Sequence, residues 1–113
     1  MMESKAERGE AVRKFKERKT LRGAFAVRCK ATGRVWVGSY ANLDAMRNRL
    51  WFSLREGLHR DKTLQEEWNS HPEETFEYEI LEKLDDDVSP LELGDLLKEL
   101  RVRWAGKLGA RML

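Results

Sequence analysis

Two short apolar stretches, Gly23-Ala24-Phe25 and Trp36-Val37-Gly38-Ser39, lie either side of the turn residues Ala31-Thr32-Gly33. Each stretch carries one aromatic ring and a glycine, which predicts a β-hairpin with strands at 22–29 and 34–39. Pairing Cys29 with Arg34 leaves the four-residue loop Lys30 to Gly33, a common hairpin length with Thr-Gly as reasonable turn chemistry. Side chains alternate faces along a strand, so this register places Phe25, Val27 and Cys29 on one face with Arg34, Trp36 and Gly38. Phe25 and Trp36 become neighbours. Val35 and Val37 point the other way, beside Ala24, Ala26 and Arg28. On these residues alone the two rings read as core.

A chain of 113 residues with 41% hydrophobic residues and four Trp can build one compact core. The single cysteine, Cys29, excludes an internal disulfide and fits a reducing compartment; in a strand it reads as a small core residue. No apolar run approaches a membrane span, and the charged start lacks a signal-peptide core. The expectation is a cytoplasmic protein. Net charge is +2, unevenly spread. Residues 1–30 hold ten Lys or Arg against four acids, residues 61–99 fourteen acids against three bases, and four bases come after Glu99. A basic surface can track phosphates, with binding that weakens in salt; charged helices can also be simply solvated faces.

Residues 3–19 predict a basic helix with a thin apolar patch at Ala11, Val12 and Phe15. It could pack on the domain, pair with a second copy as a homodimer, or lie on nucleic acid. After the hairpin, Asn42 is a good N-cap, and Leu43, Met46, Leu50 and Leu54 form one apolar helix face that Gly57 ends. A second helix spans about 61–70, with Leu64 and Trp68 inward, and His71-Pro72 breaks it. Thr75 to Leu84 reads as a strand in which Phe76, Tyr78 and Ile80 alternate with Glu77 and Glu79. Ser89-Pro90-Leu91-Glu92 is a capping box with proline at the first helical position. The helix it opens carries Leu93, Leu96, Leu97, Leu100 and Trp104 on one face. The fold class is therefore α+β: a small three-stranded antiparallel sheet flanked by helices. The chain divides into an N-terminal helix (1–20), a domain (21–105) and a tail (106–113) expected to fray.

The hairpin and the elements after it resemble the GIY-YIG nuclease domain, known from phage homing endonucleases, an excision-repair nuclease and small bacterial proteins. Gly23-Ala24-Phe25 stands for Gly-Ile-Tyr, and Trp36-Val37-Gly38 for Tyr-Ile-Gly, at the usual spacing. Asn42-Leu43-Asp44, Gly57 and His59, Leu64-Gln65, Trp68-Asn69 and Phe76 to Glu82 continue the match, which covers about residues 21–105.

The resemblance implies metal-dependent phosphodiester hydrolysis with Mg²⁺ or Mn²⁺, and catalytic positions at Phe25, Trp36, Arg47, Arg49 and His59. Water needs a base or metal to take its proton, and a cleaved phosphate needs cationic help. Here the pattern departs. Phe25 has no hydroxyl, and Trp36 offers only an N–H donor. The arginine position falls on Met46, with Arg47 beside it. The metal glutamate's position falls on Arg101. Glu99 is the one plausible metal ligand, with Asp95 a turn away; it also reads as a solvated acid. His59 is equally a proton carrier or a solvent histidine. Tyr40 reads as a strand-end surface residue and His71 as a turn residue. Three functions are open. The first is binding of nucleic acid, DNA foremost, through Arg47, Arg49, Arg55 and Arg60, with weak or no cleavage. The second is an active metal-dependent endonuclease with substituted groups. The third is a protein-interaction module using the acidic 61–99 region.

Overall fold

The structure, a computed structural model, describes residues 21–85 and 87–113; the helix expected over 1–20, and any pairing through it, lie outside the described residues. Strands β1 (Gly23–Cys29) and β2 (Val35–Tyr40) form the hairpin. Helices α1 (Leu43–Arg55) and α2 (Lys62–Ser70) come next, then a single 3₁₀ turn (Glu73–Thr75), strand β3 (Phe76–Lys83), helix α3 (Pro90–Leu108) and the short strand β4 (Arg111–Met112). The sheet runs β3-β1-β2-β4. Both neighbours of β1 are antiparallel to it, and β4 lies parallel to β2.

The hairpin register is the one that parity predicts. Phe25 sits opposite Gly38 and Val27 opposite Trp36, and the Cys29 N–H donates to the Arg34 carbonyl at 3.0 Å. As the central strand, β1 is covered on both faces, and the two faces differ in size. Phe25, Val27, Cys29 and Trp36 join Leu43, Leu50, Leu54, Leu64 and Phe76 in a large core under α1 and α2. On the reverse face, Ala26 and Val37 meet Ala105 of α3, with Leu81 and Trp104 at the margin. The small side chains Ala24 and Ala26 let α3 lie close to the sheet.

The caps act where the sequence places them. The Asn42 side chain accepts from the Ala45 N–H, Asp61 from Leu64, and Ser89 from Glu92 with Pro90 at the first turn. Strand β3 holds Phe76 and Tyr78 on the core face, but a register shift opposite Ala24 and Phe25 interrupts the alternation. The extra residue turns Leu81 towards α3 and leaves Ile80 36% exposed. The acidic side chains of β3 meet bases: Glu79 pairs with Arg28, Glu77 with Lys30, and Glu82 with Arg103.

Two expectations need correction. The sheet has four strands, and residues 106–113 do not fray. Helix α3 continues to Leu108 and ends at Gly109 in the left-handed conformation (φ 61°). The Ala110 N–H then bonds back to the Ala105 carbonyl, reversing the chain. The reversal delivers Arg111 and Met112 onto the open edge of β2, and the Leu113 N–H donates to the Val37 carbonyl at 2.8 Å. A two-residue strand cannot announce itself by periodicity; the β2 edge recruits it.

Gly38 is fixed by a close approach. A Cβ built there would stand 2.6 Å from Phe25 Cζ, because the Phe25 ring lies across the glycine from the paired strand. Gly23 is fixed by its backbone, with φ 155° and the Glu82 carbonyl in the space that any added Cβ would take. We expect Gly38→Ala to destabilise the fold by about 1–3 kcal/mol in urea titrations, the range for overpacking a filled core. Phe25→Leu in the same chain should recover part of that loss, because the smaller side chain vacates the contact; additive losses in the double mutant would refute the assignment.

Candidate functional site

The alternation that sets Phe25 against Gly38 also brings Tyr40 to the same face of β2. A groove of about 800 Å³ opens along this face, floored by Phe25, Gly38 and Ser39 and walled by α1, the α1–α2 loop, the start of α2 and the C-terminal strand. Its polar lining is Tyr40, Arg49, His59, Arg60, Asp61, Lys62, Thr63, Arg101 and Arg111. Five of these are permanently cationic at neutral pH and one is a carboxylate.

Each polar residue is held by an identifiable contact or stands free at the rim. Arg49, on the solvent side of α1, donates to the Tyr40 hydroxyl oxygen at 2.6 Å and lies over the same ring. The Tyr40 hydrogen is left without an acceptor among the described residues. Arg101 reaches from α3 and donates to Ser39 Oγ at 3.1 Å. Arg60 and Lys62 are exposed and make no hydrogen bond or ion pair among the described residues.

The loop between α1 and α2 is pinned by Gln65, a buried amide on α2. Its oxygen accepts the His59 N–H at 3.0 Å, and its nitrogen donates to the Leu54 carbonyl at 3.0 Å and to Asn69. His59 is thereby set half-buried at the groove wall. The Asp61 N–H donates to its Nδ1 at 3.0 Å, so the neutral ring carries its hydrogen on Nε2. Burial pushes the His59 pKa below its usual value, with Arg60 adding to the effect and the Asp61 charge opposing it.

Asp61 is already fully engaged. One oxygen caps α2 and accepts from the Thr63 hydroxyl at 2.6 Å; the other accepts from Arg111 at 3.1 Å. Burial opposes its ionisation, but the bonds from Thr63, Leu64 and Arg111 outweigh that cost and hold the carboxyl below its ordinary range.

The remaining predicted site residues lie elsewhere. Trp36 is buried at 2% exposure and does not line the groove; its indole N–H donates to Thr63 at 3.2 Å, so it braces the start of α2. Arg47 is exposed outside the groove lining, and its charge is felt at Tyr78. Tyr78 stacks on Phe25 at 5.1 Å, but its hydroxyl donates to the Leu43 carbonyl and burial raises its pKa far above normal, so it cannot serve as a base. Arg55 forms a doubly hydrogen-bonded ion pair with Glu73, at 2.6 and 3.2 Å. Glu99 faces a separate shallow depression with Asp95, Lys98, Val102 and Arg103. Residues 99 and 101 are about 200° apart around a helix, so only one of them can face the sheet, and the fold selects Arg101.

The set does not fit a divalent cation. Mg²⁺ and Mn²⁺ need oxygen donors, carboxylates above all. Among the described residues the groove offers one carboxylate, committed to Arg111 and a helix cap, and presents a guanidinium where the resemblance implies the metal-binding glutamate.

Comparison with solved structures identifies the fold. The chain superposes on the catalytic domain of the homing endonuclease I-TevI with a TM-score of 0.69 and 24% identity, covering 81% of this chain and 97% of that one. A point mutant of the intron endonuclease I-TevI catalytic domain superposes with a TM-score of 0.65 and 24% identity, covering 80% and 86%. This is a GIY-YIG-like fold. No protein-family model and no curated protein matches the sequence. Of the residues the motif singled out, Phe25, Arg49, His59 and Arg60 line this groove. Tyr40, read from the sequence as a strand-end surface residue, also lines it, as do Asp61, Lys62 and Arg111, which the motif did not single out. The even spacing from Gly38 to Tyr40 puts that ring on the groove face. Nothing in the sequence pointed to Arg111, which reaches the groove only through the unforeseen β4.

The depressed His59 pKa has a sign that can be tested. Protonation is easier in the unfolded chain, so stability is complete above the unfolded value near pH 6.5 and falls as pH drops from there towards the folded value. Denaturation midpoints from pH 8 to pH 5 should decline more steeply in the parent than in His59→Gln. Parallel curves would show that His59 titrates as it does in the unfolded chain.

Proposed function

We propose that this protein binds nucleic acid in the groove by its phosphate backbone, without metal-dependent cleavage of it. The observation that carries this reading is the charge of the groove. Arg49, Arg60, Lys62 and Arg101 converge on it, while the one acid among its described lining residues, Asp61, is neutralised in place by Arg111. Such a surface releases counterions from a polyanion and gains little from a free cation. The Tyr40 ring gives the groove an apolar part against which a sugar or base can rest.

The resemblance to a homing endonuclease catalytic domain supports a nucleic-acid ligand; the lining argues against hydrolysis by the family's chemistry. Arg101 replaces a carboxylate with a group that holds phosphate and repels a metal. Phe25 cannot move a proton. His59 in its neutral form carries its hydrogen on Nε2, which suits a donor to a phosphate oxygen better than a base. Its role, with Tyr40, is to orient the backbone.

Binding to short DNA duplexes across a salt series tests this. Neutralising four phosphates would give a slope of log Kobs against log salt of about −3 to −4. Arg101→Ala and Arg60→Ala should each reduce the slope by about 1, whereas Arg55→Ala should leave it unchanged. An absence of binding at low salt overturns the proposal. Metal-dependent nicking of plasmid that disappears in Glu99→Gln would overturn its non-cleaving half and restore the endonuclease reading.

A further inference from the structure

Away from the groove, α2 passes over the end of β1, and three side chains of different chemistry meet there. Cys29 closes β1, Glu67 lies on α2, and His71 is the residue at which α2 stops. One potential ligand atom from each lies within 4.8 Å of the other two. We propose that Cys29, Glu67 and His71 form a zinc site, distinct from the groove.

The donor set is the first argument. A thiolate, an imidazole and a carboxylate are the ligand types of tetrahedral zinc, and the thiolate disfavours Mg²⁺ and Ca²⁺. Three protein ligands leave the fourth position to water or to a ligand from a partner.

Orientation is the second. His71 Nδ1 lies 3.2 Å from the Glu67 carbonyl oxygen. A carbonyl can only accept, so Nδ1 carries the hydrogen and Nε2 keeps its lone pair. This is how backbone carbonyls present histidines to metals. The Glu67 carboxylate is also held from outside: the Thr32 hydroxyl donates to one oxygen, and Arg34 stands 3.7 Å from the other.

Burial is the third. The Glu67 side chain is 9% exposed, and the cation paired with it among the described residues, Arg34, is itself 62% exposed. Cys29 is fully buried. A dication would neutralise a carboxylate that the fold has otherwise half-removed from water. Bond lengths near 2.0–2.3 Å place tetrahedral ligands about 3.5 Å apart, so closure asks for side-chain rotations of roughly 1 Å at Glu67 and His71. On binding, Cys29 Sγ forms the metal bond and its proton leaves to solvent. The site would tie the end of β1 to the end of α2, whose other end shapes the groove wall.

The test uses the tag-free full chain titrated with Co²⁺, then with Zn²⁺ as competitor. We expect one equivalent of Co²⁺ to produce a near-ultraviolet thiolate-to-cobalt band and tetrahedral visible bands, both abolished by Zn²⁺. Cys29→Ser should lose the thiolate band. Because that change touches the core, His71→Gln, at a half-buried position outside the core cluster, is the second variant, and it should weaken Zn²⁺ binding at least about a hundredfold. Absence of the thiolate band in the parent, its persistence in Cys29→Ser, or unchanged Zn²⁺ affinity in His71→Gln would each overturn the proposal. Nucleic-acid binding that persists in His71→Gln keeps the two sites separate.

Discussion

The fold depends on a ring packed across a glycine. The far end of the Phe25 ring can reach across β2 only because position 38 has no side chain, and that contact goes with the register that decides which residues of the hairpin share a face. Every later placement inherits the choice. The face with Phe25 and Trp36 takes the long side chains of α1 and α2; the face with Ala26 and Val37 takes α3 at close range. A one-residue slip in register would exchange these faces and leave neither layer with a surface to bury.

The groove is a by-product of the same packing. With the ring occupying the space above Gly38, β2 has no bulk there, and the next residue on that face, Tyr40, stands at the rim. Helix α1 supplies Arg49 to hold it, α3 brings Arg101 to Ser39, and Gln65 fastens the loop that carries His59. The cations come from five separate segments: three helices, the α1–α2 loop and β4. Their convergence gives the groove its character, and a net charge of +2 conceals it.

Much of this was legible beforehand because it is local. The hairpin register follows from loop parity, the helix starts from Asn42 and Ser89, and the core faces from apolar spacing. What escaped was set by distant partners. Trp36 looked like a site residue by its place in the motif, yet its indole is spent on Thr63. Arg55 looked free, yet Glu73, brought beside it by the turn after α2, binds it twice. Glu99 and Arg101 exchange roles because helical rotation, not charge, decides which side chain meets the sheet.

The sequence by itself determined the hairpin, the order of its elements and the loss of the motif hydroxyls, since strand alternation, helix caps and side-chain chemistry act over a few residues. Only the tertiary structure decided which cations face one another, that the C-terminal residues form a fourth strand carrying Arg111, and that Cys29, Glu67 and His71 meet. Those outcomes turn on where separate elements pack in three dimensions, and no local rule relates residues so far apart along the chain.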